Sequence, residues 1–284
     1  MKKPAKVALL TAILASFLSG CTKNEGGDLT SKTVYLENLS SDYDISDKNI
    51  NIYFLNSDND TPYVNVKSFL SDLNGFFDNT KYTTHEDLLT ESLILTSYGY
   101  SVTFDWKRDI ISVSNMDIFF YIVKSSSTTD YNSYIKSVGF TSSDKHAVNF
   151  KLANYGYEVM KSDGNFYIPL VVANLLFCSP NYLNLFYKGN KIYSYVGEIS
   201  SGSSEYKKIY TNNLTDNNQN LRESTINSLC FVFDYFYGLK EDKEITTFRD
   251  YIPSQTMALL KSTSAVDNRN AYKSLLVNRL DDLH

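Results

Sequence analysis

Short apolar runs separated by polar turns dominate the chain up to about residue 196, whereas apolar positions at helical spacing dominate it after about residue 220. In the first stretch Tyr, Phe, Ile and Val, which suit a pleated and half-buried surface, group into expected strands at 50–55, 101–106, 110–114, 118–123 and 157–160. Asp163-Gly164-Asn165 and Lys188-Gly189-Asn190 predict hairpin turns, because Gly and Asn tolerate positive φ. In the second stretch Ile226, Leu229, Cys230, Phe233, Phe236 and Tyr237 recur at helical spacing, with Gly238 placed as a C-cap. A short helix is expected over 245–252, stopped by Pro253, and Met257, Leu259 and Leu260 mark a third. Ser264-Ala265-Val266-Asp267 reads as a capping-box start, after which the last helix buries Tyr272, Leu275, Leu276, Leu280 and Leu283. The expected class is α+β: a β-rich N-terminal half of strand-helix-hairpin units, then a small helical bundle.

Within the β-rich half one pattern recurs. Tyr63-Val64-Asn65-Val66 leads into Phe69, Leu70 and Leu73, and Tyr167-Ile168-Pro169-Leu170 leads into Ala173, Leu175 and Leu176. Each is followed by a hairpin-like run, Tyr98-Gly99-Tyr100-Ser101-Val102-Thr103-Phe104-Asp105 and then Leu185-Phe186-Tyr187-Lys188-Gly189-Asn190-Lys191-Ile192-Tyr193. The pattern resembles the small module at the N-terminus of copper amine oxidases and in many bacterial surface proteins; no copper ligands accompany it.

The first residues form a different kind of segment. Lys2, Lys3 and Lys6 precede an apolar run over 7–18 that is too short to span a bilayer, and Leu18-Ser19-Gly20-Cys21 follows. That sequence resembles the lipobox of bacterial lipoproteins, which implies cleavage before Cys21 and a diacylglyceryl group on its thiol. Acyl chains anchor at about 0.8 kcal/mol per buried CH2, so the expected location is a cell membrane or outer membrane, exposed outside the cytoplasm. Removing residues 1–20 takes three lysines and no acid with it, moving the formal charge from -5 to -8. With no basic cluster, nucleic acid is not an expected partner. The expected organisation is a signal peptide (1–20), a flexible tether (21–33), β-rich modules at 34–124 and 125–199, a Ser/Asn-rich linker (200–220) and a helical region (221–284).

Candidate chemistry is sparse. Cys178 and Cys230 each lie in an apolar run and read as buried thiols. His85, His146 and His284 are far apart, no CxxC or HExxH occurs, and no metal or cofactor is expected. Asp58-Asn59-Asp60 lacks the glycine and distal glutamate of a calcium loop. The 23 Tyr and 17 Phe suit cross-strand packing, while exposed tyrosines would suit glycan or extended peptide chains.

Three stretches carry the strongest resemblance: Phe233-Asp234-Tyr235-Phe236-Tyr237-Gly238-Leu239-Lys240, Thr247-Phe248-Arg249-Asp250-Tyr251 and Arg279-Leu280-Asp281-Asp282-Leu283-His284. They resemble the helical N-terminal region of S41-family serine peptidases, the carboxyl-terminal processing and tricorn-like enzymes. In that family the region ends in an Asp-x-His step, matched here by Asp282-Leu283-His284. A PDZ domain, where present, and an α/β hydrolase domain with the catalytic serine follow. The resemblance implies a charge-relay role for His284 in the tricorn-like branch. The processing-protease branch uses a lysine, and the plain alternative is a frayed helix end whose imidazole favours the C-terminal dipole. No Gly-x-Ser-x-Gly elbow or other nucleophile motif occurs, so the chain by itself is expected to be inactive. An apolar surface around Phe231, Tyr235 and Phe236 is expected to be partly uncovered, ready to meet a hydrolase domain. Two readings stay open. One is the non-catalytic N-terminal part of an S41-like peptidase acting on a peptide or protein substrate; the other is a free-standing surface lipoprotein that binds peptide or glycan.

Overall fold

The computed structural model describes residues 29–56, 58–124, 147–210 and 219–281. The signal segment, Cys21, His146 and the Asp282-Leu283-His284 step lie outside the described residues. The fold is mixed α+β, with two sheets in the first part and helices in the second.

Alternation builds the sheets. In β2 (Lys48–Leu55) Ile52 and Phe54 are buried while their neighbours are more exposed. Leu93 and Leu95 in β5 (Ser92–Ser97), Val102 and Phe104 in β6 (Tyr100–Asp105) and Ile111 and Val113 in β7 (Ile110–Val113) do the same. Sheet one also holds β1 (Leu29–Asn38), β3 (Asp58–Asn65), β9 (Met160–Ser162), β10 (Asn165–Pro169), β11 (Leu183–Lys188) and β12 (Lys191–Val196), in the order β11-β12-β1-β2-β3-β10-β9. Sheet two is an antiparallel meander, β4 (Thr83–Asp87) to β7 and then β8 (Val148–Lys151).

The recurrent pattern becomes a pseudo-two-fold arrangement. β3 and β10 pair antiparallel with Val64 opposite Ile168, and each runs directly into a helix, α1 (Val66–Asp72) or α3 (Leu170–Ala173). Asn65 caps α1 by accepting from Ser68 N at 3.0 Å. The hairpins are then exchanged. β12 pairs parallel with β1, from the first half, and β8, from the second half, closes the sheet that carries β5 and β6. In that sheet β7 stands between β6 and β8, so β6 and β8 again run parallel to one another. The expected modules 34–124 and 125–199 are therefore not two separately closed units, since each supplies the strand that completes the other's hairpin sheet.

Four further expectations are corrected. The 118–123 run is not a strand but a helical turn, α2 (Ile118–Tyr121). Ile118 and Ile122 are both buried, and a short apolar run satisfies either period. Only Met160 of the 157–160 run is in a strand. The expected tether gives up residues 29–33 to β1, where Thr33 Oγ1 donates to Asn51 Oδ1 at 2.9 Å. The expected linker holds α4 (Ser204–Tyr210), docked through Lys208 Nζ to Glu37 Oε1 at 2.7 Å and the Tyr210 ring against Phe186.

Both sheets and the helices enclose one core. Phe177, in the wide π-type turn Asn174–Cys178, meets Phe119 at 4.8 Å and Phe69, Phe77 and Phe104 at 6.2–6.4 Å. Lys161 in β9, nearly buried, pairs with Glu86 in β4 at 2.6 Å and ties the sheet edges together.

Candidate functional site

The helical region begins with α5 (Gln219–Phe236). Its Thr225 and Ser228 hydroxyls donate back to Leu221 O and Ser224 O within the helix, and Ser224 Oγ accepts from Thr61 Oγ1 of β3 at 3.2 Å. At its far end Tyr235 grips the outer edge of sheet two: its phenol accepts from Lys151 N at 2.9 Å and donates to Asn149 O at 3.3 Å. This occupies backbone groups that an edge strand would otherwise leave open. Phe231 is fully buried against Phe150 and Tyr155. The expected uncovered patch is thus corrected: Phe231 is core, Tyr235 is engaged, and Phe236 alone of the three is exposed. The one acid of this aromatic run, Asp234, is the hub. It accepts from Phe248 N at 2.8 Å and Tyr155 OH at 3.0 Å, and pairs with Lys240 Nζ at 2.9 Å. A buried carboxylate persists only when paired and hydrogen-bonded in this way.

The remaining helices are set around that hub. Thr247 caps α6 (Phe248–Tyr251), its hydroxyl accepting from Asp250 N. Ile252 then turns extended ahead of Pro253 and α7 (Ser254–Lys261). Ser264 caps α8 (Ala265–Tyr272), as its sequence predicts, and a π-type turn Lys273–Arg279 continues from it. Gly238 follows α5 without left-handed backbone; Lys240 Nζ instead reaches Asp234 O at 3.3 Å near the helix end.

Thus the stretches 233–240 and 247–251 meet the described residues of the third, Arg279 to Asp281. Phe233 stacks on Phe248 at 4.2 Å, Phe248 lies 5.9 Å from Tyr251, and Arg279 sits over the Tyr251 ring at 4.3 Å. Tyr251 OH donates to Arg279 O at 3.1 Å, Lys243 Nζ donates to Leu280 O, and the Leu280 side chain is buried. The backbone is therefore fixed just before Asp281, which adopts positive φ (47°). The three stretches are named in the sequence, with Asp234 inside the first, but Asp234 is not singled out there as their hub. A lone acid inside an aromatic run was the available signal, since a carboxylate there must find partners.

Electrostatics follow from burial. Cys178 and Cys230 are free and buried, as their apolar runs predict; burial pushes the Cys230 thiol up to about 11, partly offset by Arg249. Burial, then the Asp234 carboxylate, drives the Tyr155 phenol far above its usual range. Burial also raises Tyr43, Tyr82, Tyr167, Tyr235 and Tyr272. The unfolded chain ionises these phenols near pH 10, whereas burial in the folded chain shifts their ionisation to higher pH. Stability present below pH 10 should therefore fall as pH rises above it. Absorbance titration at 295 nm should show a set of tyrosines that ionise only together with loss of circular dichroism.

Among the described residues no group of three or more His, Cys, Asp or Glu could hold a metal ion, and no helix is long and apolar enough to cross a membrane. In comparisons with family models, with curated proteins and with solved structures, nothing matches this chain.

Proposed function

We propose that this chain is the lipid-anchored, non-catalytic N-terminal part of an S41-type serine peptidase that acts on proteins outside the cytoplasm. The observation that supports this reading is the convergence of the first two resembling stretches with the described start of the third, Arg279 and Leu280 being held by Tyr251 and Lys243. Such a cluster gives the Asp282-Leu283-His284 step a fixed point of departure. In the tricorn-like branch of the family His284 would enter the charge relay of a serine in a downstream α/β domain. The residues of this chain would then position that step, and the attacking hydroxyl and oxyanion donors would come from the hydrolase domain. Lipid on Cys21 would keep the assembly at the membrane surface.

The nucleotide sequence beyond the His284 codon tests the reading directly. The frame is expected to continue into a serine-containing α/β domain, and a stop codon at that point would overturn it. At the protein level, a serine-reactive phosphonate should label nothing in the purified 284-residue chain, and unfolded protein should survive incubation with it. Hydrolysis abolished by mutating one of this chain's own serines would also sink the reading. Cys21→Ala should release the protein from membranes or block its processing.

A further inference from the structure

Among the described residues Tyr35, Tyr98, Tyr121, Tyr182 and Tyr210 stand exposed, and two of them, Tyr98 and Tyr121, meet at one hairpin. Ser97 and Tyr100 pair across the two-residue turn Tyr98-Gly99, with φ of 48° and 85°. Both central residues being left-handed makes this a type I′ turn, where Asn, Asp and Gly are the relaxed choices. The chain uses such a choice elsewhere: Asp163-Gly164, with φ of 50° and 70°, joins β9 to β10. At 98 a bulky aromatic residue is held where it is strained, and its ring stands 69% exposed. The ring is also supported. Tyr98 lies 5.2 Å from Tyr121 of α2, and Tyr121 stacks on Tyr100 at 5.9 Å with the planes 15° apart.

Of these rings Tyr98 also lines an open groove of about 260 Å³, together with Thr80, Lys81, Tyr82, Thr83, Thr96 and Ser97. Its walls are rich in hydroxyl groups: Thr83 Oγ1 and Thr96 Oγ1 lie 2.8 Å apart, Ser97 Oγ donates to Lys81 O, and Thr80 Oγ1 donates to Asp78. Each hydroxyl keeps lone pairs for an incoming donor. The single charged side chain in the lining, Lys81, already donates to Val123 O at 2.8 Å and faces Asp78 at 3.6 Å. The groove therefore offers no free charge to select an ionic ligand. The Thr83–Thr96 pair places side chains of the β4–β5 ladder in its lining.

We propose that this groove and its tyrosine platform form a binding site for a neutral polysaccharide, with the apolar face of a sugar ring on Tyr98 and Tyr121 and its hydroxyls on Thr83, Thr96 and Ser97. Tyrosine suits the task because it offers rigid amphipathic area at low entropy cost. The site stands whether or not a peptidase domain is joined to the chain. Native affinity electrophoresis of the purified chain in gels containing hydroxyethylcellulose, glycol chitin, galactomannan or laminarin tests it. At least one polymer should retard the protein. Tyr121→Ala and Tyr98→Asn should each weaken that binding at least tenfold, and Tyr210→Ala, at an exposed tyrosine of α4, should leave it unchanged. Tyr98→Asn keeps a relaxed turn residue, so its melting temperature should be equal or higher, which separates lost binding from lost folding. Retardation by none of the polymers, retardation indifferent to both substitutions, or binding of casein-derived peptides with the same tyrosine dependence would each overturn the proposal.

Discussion

Phe177→Ala is expected to lower the unfolding free energy by about 4 kcal/mol, within the usual range for removing a buried aromatic ring and leaving a cavity. The position makes the upper half of that range appropriate. The side chain is 1% exposed, and four rings meet it from α1, the segment after α1, β6 and α2. Ring pairs add about 0.5–1.5 kcal/mol beyond area burial, so the substitution removes pair contacts as well as volume. Against a total stability of about 5–15 kcal/mol for a folded domain, the loss is large. Urea denaturation followed by circular dichroism should show one cooperative transition with a lowered midpoint and an unchanged slope. That single transition is the informative part. Because β1 completes the sheet of the second half and β8 completes that of the first, neither half has a closed sheet alone. Two transitions, only one of them shifted, would contradict the exchanged topology. Phe177→Leu, which keeps most of the volume, should cost no more than about 1.5 kcal/mol.

What could be read from the sequence was what depends on neighbours in the chain. Runs of Tyr, Phe, Ile and Val located β2, β6 and β7, the Asp163-Gly164 turn announced its own positive φ, and Ser264 announced the start of α8. The Tyr63 and Tyr167 repeats were visible because each is a strand end joined to a helix start. Their mutual pairing and the exchange of hairpins were not, since the β3–β10 partners lie 102–106 residues apart, the β1–β12 partners 156 and the β7–β8 partners 35–41, and such pairings leave no local trace. The 118–123 run was ambiguous by length. The Tyr98-Gly99 run was legible as hairpin-like but its turn type was not, because tyrosine takes the place of the Asn or Asp that would signal it. For the helical region, the three stretches could be named but not assembled. Their assembly rests on Asp234, whose partners Tyr155 and Phe248 lie 79 residues before it and 14 after it.

Asp234→Ala should therefore be the most damaging polar substitution in the helical region, at about 3–5 kcal/mol. Removing one partner of a buried ion pair leaves the other charge uncompensated, which accounts for a loss of that size. Here the stranded charge is the Lys240 ammonium, itself only 22% exposed. The Phe248 N–H and Tyr155 OH lose their acceptor in the same step, and each buried orphan donor costs about 1–3 kcal/mol where water cannot reach it. Asp234→Asn separates these contributions. The amide oxygen can still accept from Phe248 N, so the N-terminal end of α6 stays tied to α5, while the charge facing Lys240 is gone. It should cost less than the alanine, about 1.5–3 kcal/mol. Lys240→Met alone leaves Asp234 with two donors, and a double-mutant cycle of Asp234→Asn with Lys240→Met should return a coupling well above the 0.2–1 kcal/mol of exposed pairs. Thermal unfolding of the four proteins measures it. The functional consequence follows from position: Phe248 leads through Tyr251 to Arg279 and Leu280, so loosening the hub also frees the segment before Asp281. Hydrogen exchange at residues 279–281 should rise in Asp234→Ala under conditions where the β-sheet amides stay protected. If both sets of amides exchange together, the hub holds the whole fold and not the C-terminal platform in particular.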